Sequence, residues 1–397
     1  MSTTSGAPKR RRSVATDTGL KTQRRCSDVR ELHVALEFQR HIHRVTVLAQ
    51  APATCSSNTP LQCTVKALND KALLQFAHAA LPPVCVQVPW PVVPGSYAAS
   101  FSDGYVFTIP TQPMGRTCQP PPSSPWHEFT QKDIDALQCA RCAQTLVQFT
   151  PRAHLRALPS EHWEELVDAW MCHGDQRLNA SVTQGRRDVD VHRVPRDDEL
   201  WVSSLWLKTS SASITSGVCI RGEAQDNFSE THAFPVQCTQ CHAVLGAAVE
   251  PVNAGDHATS VQWLQCSVMP AHVPTDLGFL GLVLSNYLVE QTERQAVHRF
   301  VVCAMQASEP APRLVLWVFQ PLITLSIPPL ERPCDACKLL YKPGATQPDM
   351  AQHIPLVLPA EVCDALHDAL QDSAQIYPAS RRVLGDWHVG WLPRRWI

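Results

Sequence analysis

The chain has 397 residues, 44% of them hydrophobic and 18% charged, with a formal net charge of −2. That is length enough for two domains with cores of their own, and a charge balance that gives no general pull toward nucleic acid or an anionic membrane. No apolar run reaches the length of a bilayer span, since Leu277 to Val289 is broken by Ser285 and Asn286. The polar, basic N-terminus also lacks the apolar core of a secretory signal.

Residues 1–28 are rich in Ser, Thr, Lys and Arg, the composition of a disordered tail. Lys9-Arg10-Arg11-Arg12, with Arg24-Arg25, reads either as a nuclear-import signal or as a solvated basic tail, so the expected location is cytoplasmic, nuclear or both. From 29 to 125 the hydrophobic period is two: Leu32, Val34, Leu36 and Phe38, then Leu61, Cys63 and Val65, then Val84, Val86 and Val88, then Tyr105, Phe107 and Ile109. Proline-rich connectors separate these runs, and the stretch is expected to be a β-rich domain, a sandwich or an open barrel. Ala72 to Ala80 is expected to form one short helix within it.

The next stretch, 126–250, carries cysteines at metal-ligand spacing. Cys139-x-x-Cys142 and Cys238-x-x-Cys241 are knuckles, turns that aim two thiolates at one point. Between them Ser160 caps a predicted helix in which Trp163, Leu166, Val167 and Trp170 form one apolar stripe, ending at Cys172-His173-Gly174. Six candidates, Cys139, Cys142, Cys238, Cys241, Cys172 and His173, therefore compete for four places around a structural zinc ion. Four thiolates make the simplest closed set. Sixteen cysteines without a signal peptide favour metal over disulfides. A third pair, Cys334 and Cys337, is read as two ordinary cysteines.

The last stretch, 251–397, predicts a helix from Thr275 or Asp276 to about Glu293, buried strands over Phe300–Ala304 and Arg313–Phe319, a helix over 359–371, and a final strand beginning at Trp387. The fold class expected from the whole is α+β and β-rich: two β-sheet domains with a few helices, joined by the zinc site. No P-loop, dinucleotide fingerprint or G-x-S-x-G elbow is present.

Three segments resemble one family. "LPSEHWEELVDAWMCH" (158–173), "VQCTQCHAVLG" (236–246) and the C-terminal run from Leu358 to Pro393 are similar to the HECT-like ubiquitin ligases that bind ubiquitin-conjugating enzymes. The resemblance implies a ubiquitin-protein ligase whose partners are a ubiquitin-conjugating enzyme, ubiquitin and a protein substrate. It also implies an alternative: a non-catalytic, zinc-stabilised adaptor or chaperone for the endonuclease of messenger-RNA 3′-end processing. No membrane or direct nucleic-acid partner is expected.

A HECT-type mechanism needs an accessible thiol, available as thiolate, to accept ubiquitin. Cys363 is the candidate, because L-P-A-E-V-C-D resembles the run around the acceptor cysteine of HECT domains. Val362 stands where that run usually has threonine, and Asp364, with nearby Glu361 and Asp368, is expected to raise the thiol pKa. The other reading of Cys363 is a half-buried helix cysteine.

Overall fold

The computed structural model describes residues 32–52, 59–68, 71–112, 134–157, 194–220, 225–226, 231–251, 260–271, 279–305, 311–327, 333–344 and 352–396. The basic tail and the predicted Trp163–Trp170 helix, with Cys172 and His173, lie outside the described residues. What is described is β-rich, with several sheets and two α-helices.

The largest sheet is built on the strand Ala311–Ser326. One of its edges pairs with Cys334–Pro343, followed outward by Trp387–Trp396 and the short Val383–Leu384. Its other edge is shared. Arg299–Ala304 takes the first half, and His33–Gln39 takes the end, from Phe38 opposite Thr324 to Leu36 opposite Ser326. Irregular pairing between Val318 and Ile323 allows the exchange. Before it Leu314, Leu316 and Val318 face one core layer; after it Ile323 and Leu325 face another. Ile354–Leu358 lies parallel to Arg299–Ala304, and Arg44–Gln50 and Tyr105–Pro110 continue beyond His33–Gln39. The hydrogen bonding of this sheet thus runs from the 29–125 stretch straight into the 251–397 stretch.

A four-stranded sheet, Leu81–Val88, Lys71–His78, Leu61–Leu68 and Gly95–Ala99, packs across the N-terminal strands as a sandwich. Its inward residues alternate as period two requires: Leu61, Cys63 and Val65 meet Leu36, Phe38, Val45 and Val47. Ala72–Ala80 is not a helix. Lys71–His78 is a strand paired on both sides, with Ala72, Leu74, Phe76 and His78 buried in alternation. Its helix-forming residues yield to burial between two neighbours, since β preference is mostly packing.

Helix α1 (Phe279–Gln295) and helix α2 (Ala360–Ser373) cover one face of the large sheet. They begin and end within a few residues of expectation. In α1 the polar pair interrupting the apolar run has a purpose: Ser285 Oγ donates to Pro393 O at 2.6 Å, Asn286 Nδ2 donates to Arg394 O at 3.2 Å, and Arg394 Nε donates to Asn286 Oδ1 at 3.2 Å. These bonds fix α1 on the strand Trp387–Trp396. Among the described residues no helix is long and apolar enough to cross a membrane.

A third core lies between an eight-stranded sheet, which includes Trp206–Ser210, Ser260–Leu264, Val244–Pro251 and Thr231–Cys238, and a three-stranded sheet of Val268–Pro270, Ala136–Cys139 and Thr145–Gln148. Trp263 is its largest fully buried side chain, with Nε1 donating to Thr209 Oγ1 at 2.8 Å. The knuckles close one margin of this core.

Candidate functional site

Each knuckle is a strand end that turns back on itself. Cys139 N–H donates to Gln144 O and Ala143 N–H to Cys139 O, at 2.8 and 2.9 Å. Cys238 N–H donates to Ala243 O and His242 N–H to Cys238 O, both at 3.0 Å. The residue after the second cysteine is left-handed in both, with φ 59° at Ala143 and at His242. Two stretches from different sheets thus adopt one turn.

Together the turns converge four sulfurs. Cys139 Sγ lies 3.6 Å from Cys241 Sγ, Cys142 Sγ lies 3.5 Å from Cys238 Sγ, and all four lie within 4.8 Å of one another. A tetrahedral zinc–thiolate centre, with bonds of about 2.3 Å, places its sulfurs about 3.8 Å apart, so this donor set suits a metal ion. Backbone N–H groups assist: those of Arg141 and Cys142 favour the Cys139 thiolate, and those of Cys241 and Gln240 favour that of Cys238. Burial pushes the Cys139 thiol up and the Cys142 thiol up to about 11. Burial opposes the Cys238 thiolate too, but the N–H groups and neighbouring thiols outweigh it and its pKa falls below the ordinary value. Ionising all four needs a cation between them.

The paired cysteines stand 96 and 102 residues apart, so a shared ion closes long loops at little more entropy cost than short ones. Among the described residues these four cysteines form the cluster; Cys172 and His173 lie outside the described residues. Beyond the second knuckle, Gly246 closes the motif at a bulge opposite Val236 and Gln237, where a β-carbon would overlap the carbonyl oxygen of Gln262. Gly246→Ala is expected to destabilise the protein by about 1–3 kcal/mol, read as an earlier urea midpoint at unchanged m-value.

Among the described residues Cys334 and Cys337 join no cluster of metal-ligating side chains. They share the strand Cys334–Pro343 and enter different core layers, Cys334 beside Ile323 and Cys337 beside Leu339. Burial pushes both thiols up to about 12.

Cys363 lies in the first turn of α2 at 1% exposure. Its thiol points at Leu358 O (3.7 Å) and Cys303 O (3.8 Å). Burial, then the Asp364 carboxylate, pushes it up to about 11. His367, one turn later, lines a cavity of about 270 Å³ with Tyr341, Arg382 and His388, to which Cys363 does not contribute. The thiol is thus packed in a core, away from that imidazole pair. Glu361, beside it, accepts a hydrogen bond from Val244 N–H at 3.1 Å, linking the end of the second knuckle to α2.

Comparison with known families decides the lineage. The family described as "HECT-like Ubiquitin-conjugating enzyme (E2)-binding" matches residues 29–389. This chain belongs to that HECT-like family. The match takes in both knuckles, both helices and the N-terminal sandwich. Among relatives, an E3 ubiquitin-protein ligase of Homo sapiens is 23% identical over 287 residues, covering 64% of this chain and 71% of that one. A ligase of the same name from Mus musculus is 22% identical over 303 residues, covering 69% and 75%. An uncharacterised protein of Schizosaccharomyces pombe is 22% identical over 283 residues, covering 68% and 77%. This chain brings four cysteines together and places its HECT-resembling cysteine inside a core.

Proposed function

We propose that this chain is a ubiquitin-protein ligase that binds a ubiquitin-conjugating enzyme and promotes transfer of ubiquitin to protein lysines, on a fold held by one structural zinc ion. The family match over residues 29–389 carries the reading. Zinc suits the donor set: Cys139, Cys142, Cys238 and Cys241 would hold it, and four thiolates leave no open position for water. Bound there, zinc supplies folding energy, and the thiolates bind it and exclude solvent from the margin of the core.

Cys363, at 1% exposure, fits a packing role better than a thioester. Transfer would then pass from the conjugating enzyme's own thioester to the substrate lysine while this chain orients the two. The same burial favours a second reading, a non-catalytic adaptor, for which the resemblance suggests the endonuclease of messenger-RNA 3′-end processing. A charging assay separates these mechanisms. Wild type and Cys363→Ala should each stimulate ubiquitin transfer within about twofold of the other, with no reductant-sensitive ubiquitin adduct on either. An adduct lost only in Cys363→Ala would restore the thioester mechanism. No stimulation by either protein would leave the adaptor.

A further inference from the structure

Between α2 and the strands Cys334–Pro343 and Trp387–Trp396 lies the cavity of about 270 Å³ that Cys363 does not border. Tyr341 and His388 reach it from directly paired positions on the two strands. His367, Gln371 and Ala374 reach it from one face of α2 and its end, at spacings of four and three. Tyr341 is 4% exposed, and its ring meets those of His367 and His388 with centroids at 5.9 and 5.4 Å. Its hydroxyl has no hydrogen-bond partner among the described residues, a costly state for a buried phenol unless something entering the cavity accepts from it. Burial pushes its pKa up, so it stays a donor. The two imidazoles also make no hydrogen bond among the described residues, and a neutral imidazole keeps one N–H to donate.

Arg382 supplies a permanent charge. Its Nε donates to Tyr377 O at 2.8 Å and its Nη2 to Gln375 O at 3.5 Å, which fixes the guanidinium and leaves Nη1 without a partner among the described residues. No carboxylate lines the cavity. Asp368 and Asp372 on α2 are exposed and outside the lining, and Asp386 is paired with Lys342 at 3.0 Å. One cation and several donors thus converge on a space with no acid to answer them.

We propose that this cavity is a carboxylate-binding site, filled by the C-terminal carboxylate of a peptide. The proposal stands apart from the ligase reading, because neither zinc knuckle borders the cavity. Charge selects the anion: one guanidinium balances one carboxylate, whereas a phosphate ester, at about −2, is met by arginine clusters. Size selects the chain end, since the volume falls below the roughly 300–1,000 Å³ of sites that enclose a drug-sized ligand. The exposed side-chain amides of Gln371 and Gln375 can pair with the peptide group next to a terminal carboxylate, an advantage that a free small acid lacks. The donors are held before the ligand arrives, Arg382 by backbone carbonyls and Tyr341 by its burial, so binding orders few side chains.

The test is NMR of the full-length, zinc-loaded chain carrying isotope-labelled histidine, titrated with N-acetyl-glycyl-glycine and with its C-terminal amide. His367→Gln and His388→Gln identify the two resonances to follow. The acid should shift both saturably, with a dissociation constant of about 1 mM for a ligand of this size, and the amide should shift neither. Tyr341→Phe, which removes only the hydroxyl, should weaken binding about fivefold at unchanged thermal midpoint. Arg382→Gln should weaken it at least tenfold. Acetate that binds as tightly as the dipeptide, with the same loss in Arg382→Gln, would overturn the chain-end assignment and leave a site for free carboxylic acids. Inorganic phosphate that binds more tightly than the dipeptide would overturn the carboxylate. Equal shifts with acid and amide, affinity unchanged in both Tyr341→Phe and Arg382→Gln, or no saturable shift in a folded chain would overturn the proposal outright.

Discussion

Replacing Cys238 by serine is expected to empty the metal site and cost several kcal/mol, out of the roughly 10–16 kcal/mol that a four-ligand zinc site supplies at neutral pH. The reason is positional. Cys139 ends a strand of the three-stranded sheet and Cys238 ends a strand of the eight-stranded one, so an ion held by the four cysteines would bridge the two layers around the third core. Loss of one thiolate also leaves three thiols, the buried Cys139 and the half-buried Cys142 and Cys241, with no cation to share. Zinc should fall from about one per chain to background, measured by emission spectrometry after gel filtration. Hydrogen exchange should rise first at the margin of the third core and at the start of α2, through the Glu361 to Val244 contact. The N-terminal sandwich, with a separate core, should exchange as in wild type. Cys334→Ser and Cys172→Ser should both retain zinc. A Cys238→Ser protein with full zinc and an unchanged melting curve would refute the assignment.

The second large effect belongs to a charge inside the fold. Glu37, 2% exposed, accepts from Lys338 Nζ at 2.9 and 3.0 Å, from the Tyr377 hydroxyl at 3.0 Å and from Gln39 Nε2 at 2.8 Å. Lys338 also rides over the Tyr377 ring at 4.8 Å. Burial, then the Glu37 carboxylate, holds the Tyr377 phenol well above its ordinary pKa, so it remains a donor. Next to this cluster Arg40 meets Asp335 at 3.2 Å, and Asp335 accepts from Thr324 Oγ1 at 2.6 Å. These groups join the first described strand to the last third of the chain. Lys338→Met leaves a buried carboxylate without its cation, a change that costs about 3–5 kcal/mol. Replacing both partners, Glu37→Leu with Lys338→Met, should cost less than Lys338→Met alone, because no unpaired charge remains. Urea unfolding of the two single variants and the pair gives the coupling directly. A Lys338→Met protein within about 0.5 kcal/mol of wild type would show that Glu37 finds solvent or another partner.

Much of this architecture is legible in the residues themselves. The N-terminal sandwich announces itself because Leu61, Cys63 and Val65 alternate with polar neighbours, and alternation is the signal of a one-sided strand. The four-cysteine cluster is legible because a C-x-x-C turn is local, so its geometry survives whatever surrounds it. Which knuckle meets which is not local. It depends on which strands meet, and the pairing of Cys142 with Cys238 is set by sheets 96 residues apart. Lys71–His78 misleads because Ala, Leu, Lys and Gln favour helix in isolation, and only its two neighbours make it a strand. Glu37 sits in a strand that reads as apolar, and its cation lies 301 residues away. Arg313–Phe319 reads as a buried strand because both of its faces are hydrophobic. One face does lie under α1 and α2; the other runs out to an exposed Phe319. The position of Cys363 in a helix is visible in the spacing of Val362, Leu366 and Leu370, but the depth of its burial is set by the sheet beneath it.

The measurement that tests the account most directly is calorimetric titration of the purified, zinc-loaded chain with individual ubiquitin-conjugating enzymes. Saturable one-to-one binding to at least one of them is expected, in the micromolar range typical of transient partners, with the same affinity in Cys363→Ala. Absence of binding to every conjugating enzyme tested, by a chain shown to be folded and to hold one zinc, would contradict it.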